Sequence, residues 1–402
     1  MLRVAVLSLW LCTGPWVTAQ WDQTIDFPGT ARDDAAAFSH YCKVYVGTGM
    51  EVGWSLTNDW WRYDVIQQSW QEVATLPATP RQYATAQTID GVGYLFGGLD
   101  ATAPLSELWA YDTDQDQWNA RAPLPADGRY ASTSFVANGK LFVVGGLIVG
   151  GTALSELWEY DPGTDAWTQR MDLPGVPRHR ATATSIWHGS EENGLVIGGA
   201  DEAYVALDEV WRYEPSTDSW FAAASLPEAR FGASSTTFTD RALIVAGTTD
   251  NTTFLSNGLL YNSFTDAWDP FGDLPSGRRG GVMGFSHDCS GYYFAYYGAG
   301  LDQDLVRHND WFRTGYVFGV EEEGATRLAL FPNPASDHIT LGIPASWANA
   351  SYRLKDGLGR IVLEGPADPA MAIPLTQLPP GRYECIVDNG SSNLRAPLIK
   401  LP

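Results

Sequence analysis

The strings LWAYDTDQDQW (108–118), LWEYDPGTDAW (157–167) and VWRYEPSTDSW (210–220) are one phrase written three times. A phrase that returns at a near-constant interval obliges the chain to build one small unit repeatedly and to bury each unit against the next. With the Tyr as origin, the landmarks are Tyr63, Tyr111, Tyr160, Tyr213 and Tyr261, at intervals of 48, 49, 53 and 48 residues. Seven residues after each stands a Trp (Trp70, Trp118, Trp167, Trp220, Trp268), and seven after that a Pro (Pro77, Pro125, Pro174, Pro227, Pro275). An Arg comes next, at Arg81, Arg129, Arg178, Arg230 and Arg279. A glycine-ended apolar run then follows, as in LFGG (95–98), VVGG (143–146), LVIGG (195–199) and IVAG (244–247).

Short alternating runs broken by Gly, Pro, Asn and Asp read as strands, four per unit. In sequence order these are an apolar strand after the Arg (a), the glycine-ended strand (b), the Tyr strand (c) and the Trp strand (d). Tyr and Trp supply large apolar area between units, each with a polar tip. Asp116, Asp165, Asp218 and Asp266, two residues before each Trp, suit side-chain-capped turns. A calcium loop would need Gly-spaced ligands that are not there.

The double glycine and the Tyr-to-Trp spacing resemble the kelch repeat over roughly residues 21 to 318. That resemblance implies a β-propeller, its blades packed radially around a channel. VYVGTG (44–49) supplies the glycine end of a first unit. DWFRTG (310–315) aligns with DWWRYD (59–64) and puts Thr314 at the Tyr position, with Glu321 where a Trp is due. The missing strand stands at the other end: Trp21 is followed by Pro28 and Arg32 at the repeat's own spacing. The expectation is an all-β chain with a six-bladed propeller over 20–318, closed by an N-terminal strand that pairs with residues around 310–316.

Residues 1–19 have the charged start, short apolar run and Val17-Thr18-Ala19 end of a signal peptide. The apolar run is too short to span a bilayer and no later segment is long enough, so no transmembrane segment is expected. Net charge is −22 without a Lys/Arg cluster, which argues against a nucleic-acid partner. Export permits disulfides. Cys42 and Cys289 each stand ten residues after their blade's Arg, at a–b hairpins of neighbouring blades, and are the candidate pair; Cys385 is the third cysteine after the leader.

GVEEEGAT (319–326) reads as a linker. Beyond it, LFPNPASDHITL (330–341), LKDGLGRIV (354–362) and LTQLPPGRYECIV (375–387) resemble the C-terminal sorting domain of the type IX secretion system. The resemblance implies a small β-sandwich over 327–402, handled by that secretion machinery in a Bacteroidota-type bacterium. The chain would then be secreted or displayed at the cell surface.

No G-x-S-x-G, H-E-x-x-H or P-loop is present, and no cofactor is implied. Copper radical oxidases share the kelch fold, but their Tyr, His and cross-linked Cys set has no counterpart here. His40 and His287 occupy equivalent places in adjacent blades, where other blades carry Ile89, Ala137, Ile186 and Phe238, so they read as core residues. The candidate ligand-binding residues are the Arg at each strand-a entrance: Arg32, Arg81, Arg129, Arg178, Arg230 and Arg279. Asp127 and Glu228, two residues before Arg129 and Arg230, are ready local partners. These arginines, the d–a loops and the b–c loops share one face. Its b–c loops carry apolar residues: Leu147, Ile148, Val149, Tyr204, Val205, Phe254 and Leu255. Two function classes fit. One is a binding module that presents this face to a glycan or protein. The other is an enzyme similar to sialic acid mutarotases, for which no single acid/base residue stands out.

Overall fold

The computed structural model describes residues 21–314, apart from 189–190, 239–240 and 288–292. It also describes 329–400, apart from 332–334, 336, 344–346, 348–349, 356–359, 369–371, 380 and 391–392. The expected leader and acidic linker lie outside these residues. The described chain falls into two compact units, one of residues 21–286 and 294–314 and one within 329–400.

Blade 3 shows the unit: strands Thr133–Ala137, Lys140–Val144, Leu157–Asp161 and Ala166–Arg170, antiparallel in that order. Strand b reads as a continuous apolar run because neighbouring blades cover both of its faces; Leu141, Phe142, Val143 and Val144 are all buried. The a strands of successive blades lie side by side. Between blades 2 and 3 the core joins Ile89, Phe96 and Leu108 to Leu141, Val143 and Tyr160. At the end of strand b, Gly145 and Gly146 take φ of 66° and 95°. A Cβ on Gly145 would stand 2.6 Å from the Arg178 carbonyl oxygen, so backbone meets backbone there.

The Tyr–Trp phrase is a latch between blades. The Trp118 indole donates to the Ala74 carbonyl (2.8 Å) at the end of the preceding blade, whose N–H donates back to Asp116 Oδ1 (2.7 Å). The Tyr111 hydroxyl donates to the same oxygen (2.6 Å). Trp167, Trp220 and Trp268 repeat the bond to Ala122, Met171 and Ala224. The Asp-rich loops are therefore turns, and each also ties down a neighbour.

Blade 6 consists of Val282–His287, Tyr293–Gly298, Trp311–Thr314 and, as its fourth strand, Trp21–Gln23. The register is Trp21↔Thr314, Asp22↔Arg313 and Gln23↔Phe312. The Trp21 indole reaches the Gly272 carbonyl (3.1 Å) and the Trp70 indole reaches that of Ile25 (3.1 Å). Six indole latches thus run round the ring without a gap. Cys42 is disulfide-bonded, while Cys289 lies outside the described residues.

The second unit packs a three-stranded sheet (Ala329–Phe331, His338–Gly342, Ala372–Pro374) and a four-stranded one around Ile339, Leu354, Leu375, Cys385 and Leu398. Cys385 is a free, buried thiol whose pKa burial pushes up to about 12. No helix of the described residues is long and apolar enough to cross a membrane.

Candidate functional site

The repeat arginines are structural. Arg32, Arg81, Arg129, Arg178 and Arg230 are at most 1% exposed. Arg178 donates to the carbonyls of Val176 and Gly198 and to the Glu209 carboxylate. Arg81 does the same with Thr79, Gly97 and Glu107. Their partners are the acids that precede strand c (Asp59, Glu107, Glu156, Glu209), and the Trp of that strand donates to the same carboxylate, as Trp211 does to Glu209 (3.1 Å). Burial alone would raise Glu209; the Trp211 and Arg178 bonds outweigh it and hold the carboxyl below its usual range. The expectation that these five guanidiniums line the mouth for a ligand is therefore corrected, since all five are buried and hydrogen-bonded to neighbouring loops.

Of the two expected local pairings one is present: Arg230 Nη2 stands 3.6 Å from the Glu228 carboxylate. Arg129 takes the Asp127 carbonyl and the Glu156 carboxylate. Before strand c Arg230 meets Asn257 where other blades have an acid, and burial, opposed by the charge of Glu228, lowers its pKa to about 10. In blade 6 the bracing residue is Arg278, bonded to Ala299 O and paired with Asp310. The loops entering blades 5 and 6 are one residue shorter, which shifts the Arg forward and frees Arg279.

The second residue after each bracing Arg is left-handed: Asp34, Tyr83, Ala131, Arg180, Gly232 and Gly280 have φ between 50° and 63°. Their backbones close a circle. Tyr83 N–H donates to Asp34 O (3.0 Å), Ala131 to Tyr83 (3.0 Å) and Arg180 to Ala131 (2.8 Å). Gly232 donates to Arg180 (2.8 Å), Gly280 to Gly232 (2.9 Å) and Asp34 to Gly280 (2.7 Å). One bond per blade makes this the inner rim of the ring.

Three of those six positions carry a long or ionisable side chain (Asp34, Tyr83 and Arg180), and two arginines from blade 6 join them. Arg180 Nη2 donates to the Tyr83 hydroxyl (2.7 Å) with its guanidinium 4.5 Å from the ring centroid. Arg307, from the b–c loop of blade 6, donates to Asp33 Oδ1 (2.6 Å). Arg279 Nη1 stands 3.9 Å from Asp33 Oδ2 and 3.8 Å from Asp34 Oδ2, and its Nε and Nη1 are buried without a hydrogen-bond partner. Burial raises Asp33 to about 7; the charge of Asp34 adds to this, while Arg307 and Arg279 oppose it. Burial, then the charge of Asp34, raises the Tyr83 phenol, so it stays protonated. His179, beside Arg180, is lowered to about 4 by burial and stays neutral. Three guanidiniums face two carboxylates here, a local excess of one positive charge in a chain of net charge −22.

The b–c loops divide. Leu147 and Phe254 are buried, the latter under Arg279 (5.7 Å), whereas Val149, Tyr204 and Val205 are exposed. Trp54, Leu305 and Val306 are exposed on corresponding loops. The His40 ring lies against Tyr41 (4.2 Å), and burial lowers its pKa; the side chain of His287 lies outside the described residues. No group of three or more His, Cys, Asp or Glu among the described residues is placed to hold a metal.

Sequence reasoning missed Asp33, Asp34, Tyr83, Arg180 and Arg307. The available signal lay in the two residues after each bracing Arg. They read Asp-Asp, Gln-Tyr, Tyr-Ala, His-Arg, Phe-Gly and Arg-Gly, variable chemistry inside a constant frame.

The sequence profile of the Attractin/LZTR1 beta-propeller family matches residues 44–274. That of the secretion system C-terminal sorting domain matches residues 329–400. N-acetylneuraminate epimerase 1 of Escherichia coli O6:H1 is 42% identical over 59 residues, which is 14% of this chain and 14% of that protein. The solved structure titled "Structure of YjhT" superposes with a TM-score of 0.60 at 18% identity, covering 72% of this chain and 95% of that one. At that identity the likeness is one of fold.

Proposed function

The chain belongs to the Attractin/LZTR1 beta-propeller family, and from that premise we propose that it is an exported propeller which captures a carboxylated sugar over the inner rim. Export itself follows from the sorting domain. The observation that carries the reading is Arg279, which presents two unpartnered N–H donors beside Arg180 and Arg307. A guanidinium fork is matched in shape to a carboxylate. The clustered arginines supply a place where an anion overcomes the general repulsion of an acidic protein.

A second reading adds chemistry at the same place, and Asp33 favours it. A carboxyl that titrates near neutrality is suited to accept and return a proton. As a carboxylate it would take the proton of an anomeric hydroxyl while the ring C–O bond breaks. The Tyr83 hydroxyl accepts from Arg180, so its own proton is free to go to the departing ring oxygen. Reclosure on the other face of the carbonyl, with both protons returned, exchanges the anomers. The partial match to an N-acetylneuraminate epimerase supports this class of substrate.

Both readings are tested with N-acetylneuraminate. Titration calorimetry should show binding that weakens by about tenfold or more in Arg279→Ala. Anomer exchange followed by NMR should be accelerated by the parent and not by Asp33→Asn. Binding without exchange leaves a capture module. No binding of this or any other carboxylated sugar overturns the proposal.

A further inference from the structure

Beside the rim lies a cleft of about 630 Å³, between the b–c loops of blades 1 and 2. Met50, Trp54, Leu56 and Pro80 give it apolar walls, and Gln82, next to Tyr83, forms part of its lining. It joins the rim at two points. Met50 is the cross-strand partner of Asp33. Trp54 carries the Arg307 guanidinium 4.6 Å from its ring centroid, and the same Arg307 is bonded to Asp33.

Two features make this cleft more than a gap between loops. Trp54 is 75% exposed, held out by the same left-handed turn that Tyr204 and Leu305 make on their own b–c loops, and of the three it is the one that carries an indole. An exposed indole face is a platform for an apolar group. The polar groups on the opposite wall, in contrast, are already used. Asp100 Oδ1 accepts from Thr102 N, Thr102 Oγ1 and Ala103 N (2.7, 2.7 and 2.8 Å), and its Oδ2 accepts from Thr79 Oγ1 (3.2 Å). These bonds, set against the cost of burying the carboxyl, hold Asp100 ionised at a pKa of about 2. A sugar ring laid here would find an aromatic platform but few free partners for its hydroxyls. An apolar group needs no such partners, and it would cover Trp54 and Met50.

We propose that the cleft is a subsite for an apolar substituent, an acyl or aryl group, on the carboxylated sugar whose anionic end sits at Arg279. This rests on the carboxylated-sugar reading and specifies its ligand class. Continuity through Arg307 and Met50 is the reason to place the substituent here, since a group leaving the rim toward blade 1 enters this cleft first.

The test is calorimetry on the full chain with N-acetylneuraminate, its N-hexanoyl analogue, its methyl glycoside and its aryl glycoside. At least one of the two enlarged ligands should bind about tenfold more tightly than its small counterpart, a gain in keeping with burial of one short chain or ring. Trp54→Ala should abolish that gain, so that within each pair the enlarged ligand binds no more tightly than its small counterpart, and Met50→Ser should reduce it. Equal affinities within both pairs, or a gain that survives Trp54→Ala, would overturn the subsite. Failure of all four to bind would instead remove the carboxylated-sugar reading beneath it.

Discussion

An aspartate whose folded pKa stands near 7 makes stability depend on pH in an unusual direction. Burial is the main cause for Asp33, with Asp34 adding to it against Arg307 and Arg279. Between about pH 4 and 7 the folded chain keeps a proton that the unfolded chain has released, so this group's contribution falls as pH rises through that window and is level above it. Asp33→Asn removes the change. The stability difference between variant and parent, from denaturant titrations, should therefore shift in the variant's favour from pH 4 to 7. A difference that stays constant would mean Asp33 titrates normally. The two classes of arginine separate at the same scale. Arg178→Ala leaves two loop carbonyls unpaired and Glu209 with the Trp211 bond alone, and should cost about 3 kcal/mol. Arg279→Ala breaks no hydrogen bond, only the long ion pairs to Asp33 and Asp34, and should cost less stability than Arg178→Ala while weakening ligand. The sequence made all six arginines look alike because only their spacing was visible. What distinguishes Arg279 is a one-residue shortening of its loop, and the side chain that holds each bracing Arg, a carboxylate in every blade but the fifth, lies some 26 to 32 residues away in the chain.

The four-stranded blade was legible at the scale of elements because its determinants are local: glycine corners, alternating runs, and Tyr and Trp at fixed offsets. The latches were not, since Asp116 and Trp118 find their partners in another blade, at Ala74. The inner rim was equally hidden. Its left-handed positions are filled by Asp, Tyr, Ala, Arg and Gly in turn, and no residue type marks them. The two glycines there are not equivalent. A Cβ on Gly280 would lie 2.4 Å from Asp34 Oδ1, whereas one on Gly232 first meets Arg279 Cβ at 3.4 Å. Gly232→Ala should cost about 1 kcal/mol for the left-handed backbone alone and preserve ligand binding. Gly280→Ala must in addition displace Asp34, so it should lose binding disproportionately to its loss of stability. Parallel calorimetry and thermal melts of the two variants check this, and equal behaviour would count against Asp34 as part of the site.

In the whole molecule, the ring's seam and its candidate site are the same place. Asp33 and Asp34 belong to blade 1, Arg279 and Arg307 to blade 6, and they meet only because residues near the start of the ring return to residues near its end. Bringing together segments some 280 residues apart costs about 5 kcal/mol of chain entropy beyond the constant term. A three-residue strand is a small offset to that. The seam is accordingly reinforced by the Asp34–Gly280 rim bond, by Gly300 N–H donating to Arg32 O (2.8 Å), and by the Trp21 and Trp70 latches. The disulfide at Cys42 belongs to the same argument. We propose Cys289 as its partner, since both stand at a–b hairpins of the two seam blades. Non-reducing mass spectrometry of the secreted chain should then find a Cys42–Cys289 peptide and a single free thiol at Cys385. Deleting residues 21–27 tests the seam itself. It bares the edge of Trp311–Thr314, and an unpaired edge recruits other chains. The deletion should lower the melting temperature, promote aggregation and abolish ligand binding together, because one seam carries both closure and site. A deletion variant that loses stability yet binds the ligand as the parent does would show that the site does not depend on the meeting of blades 1 and 6.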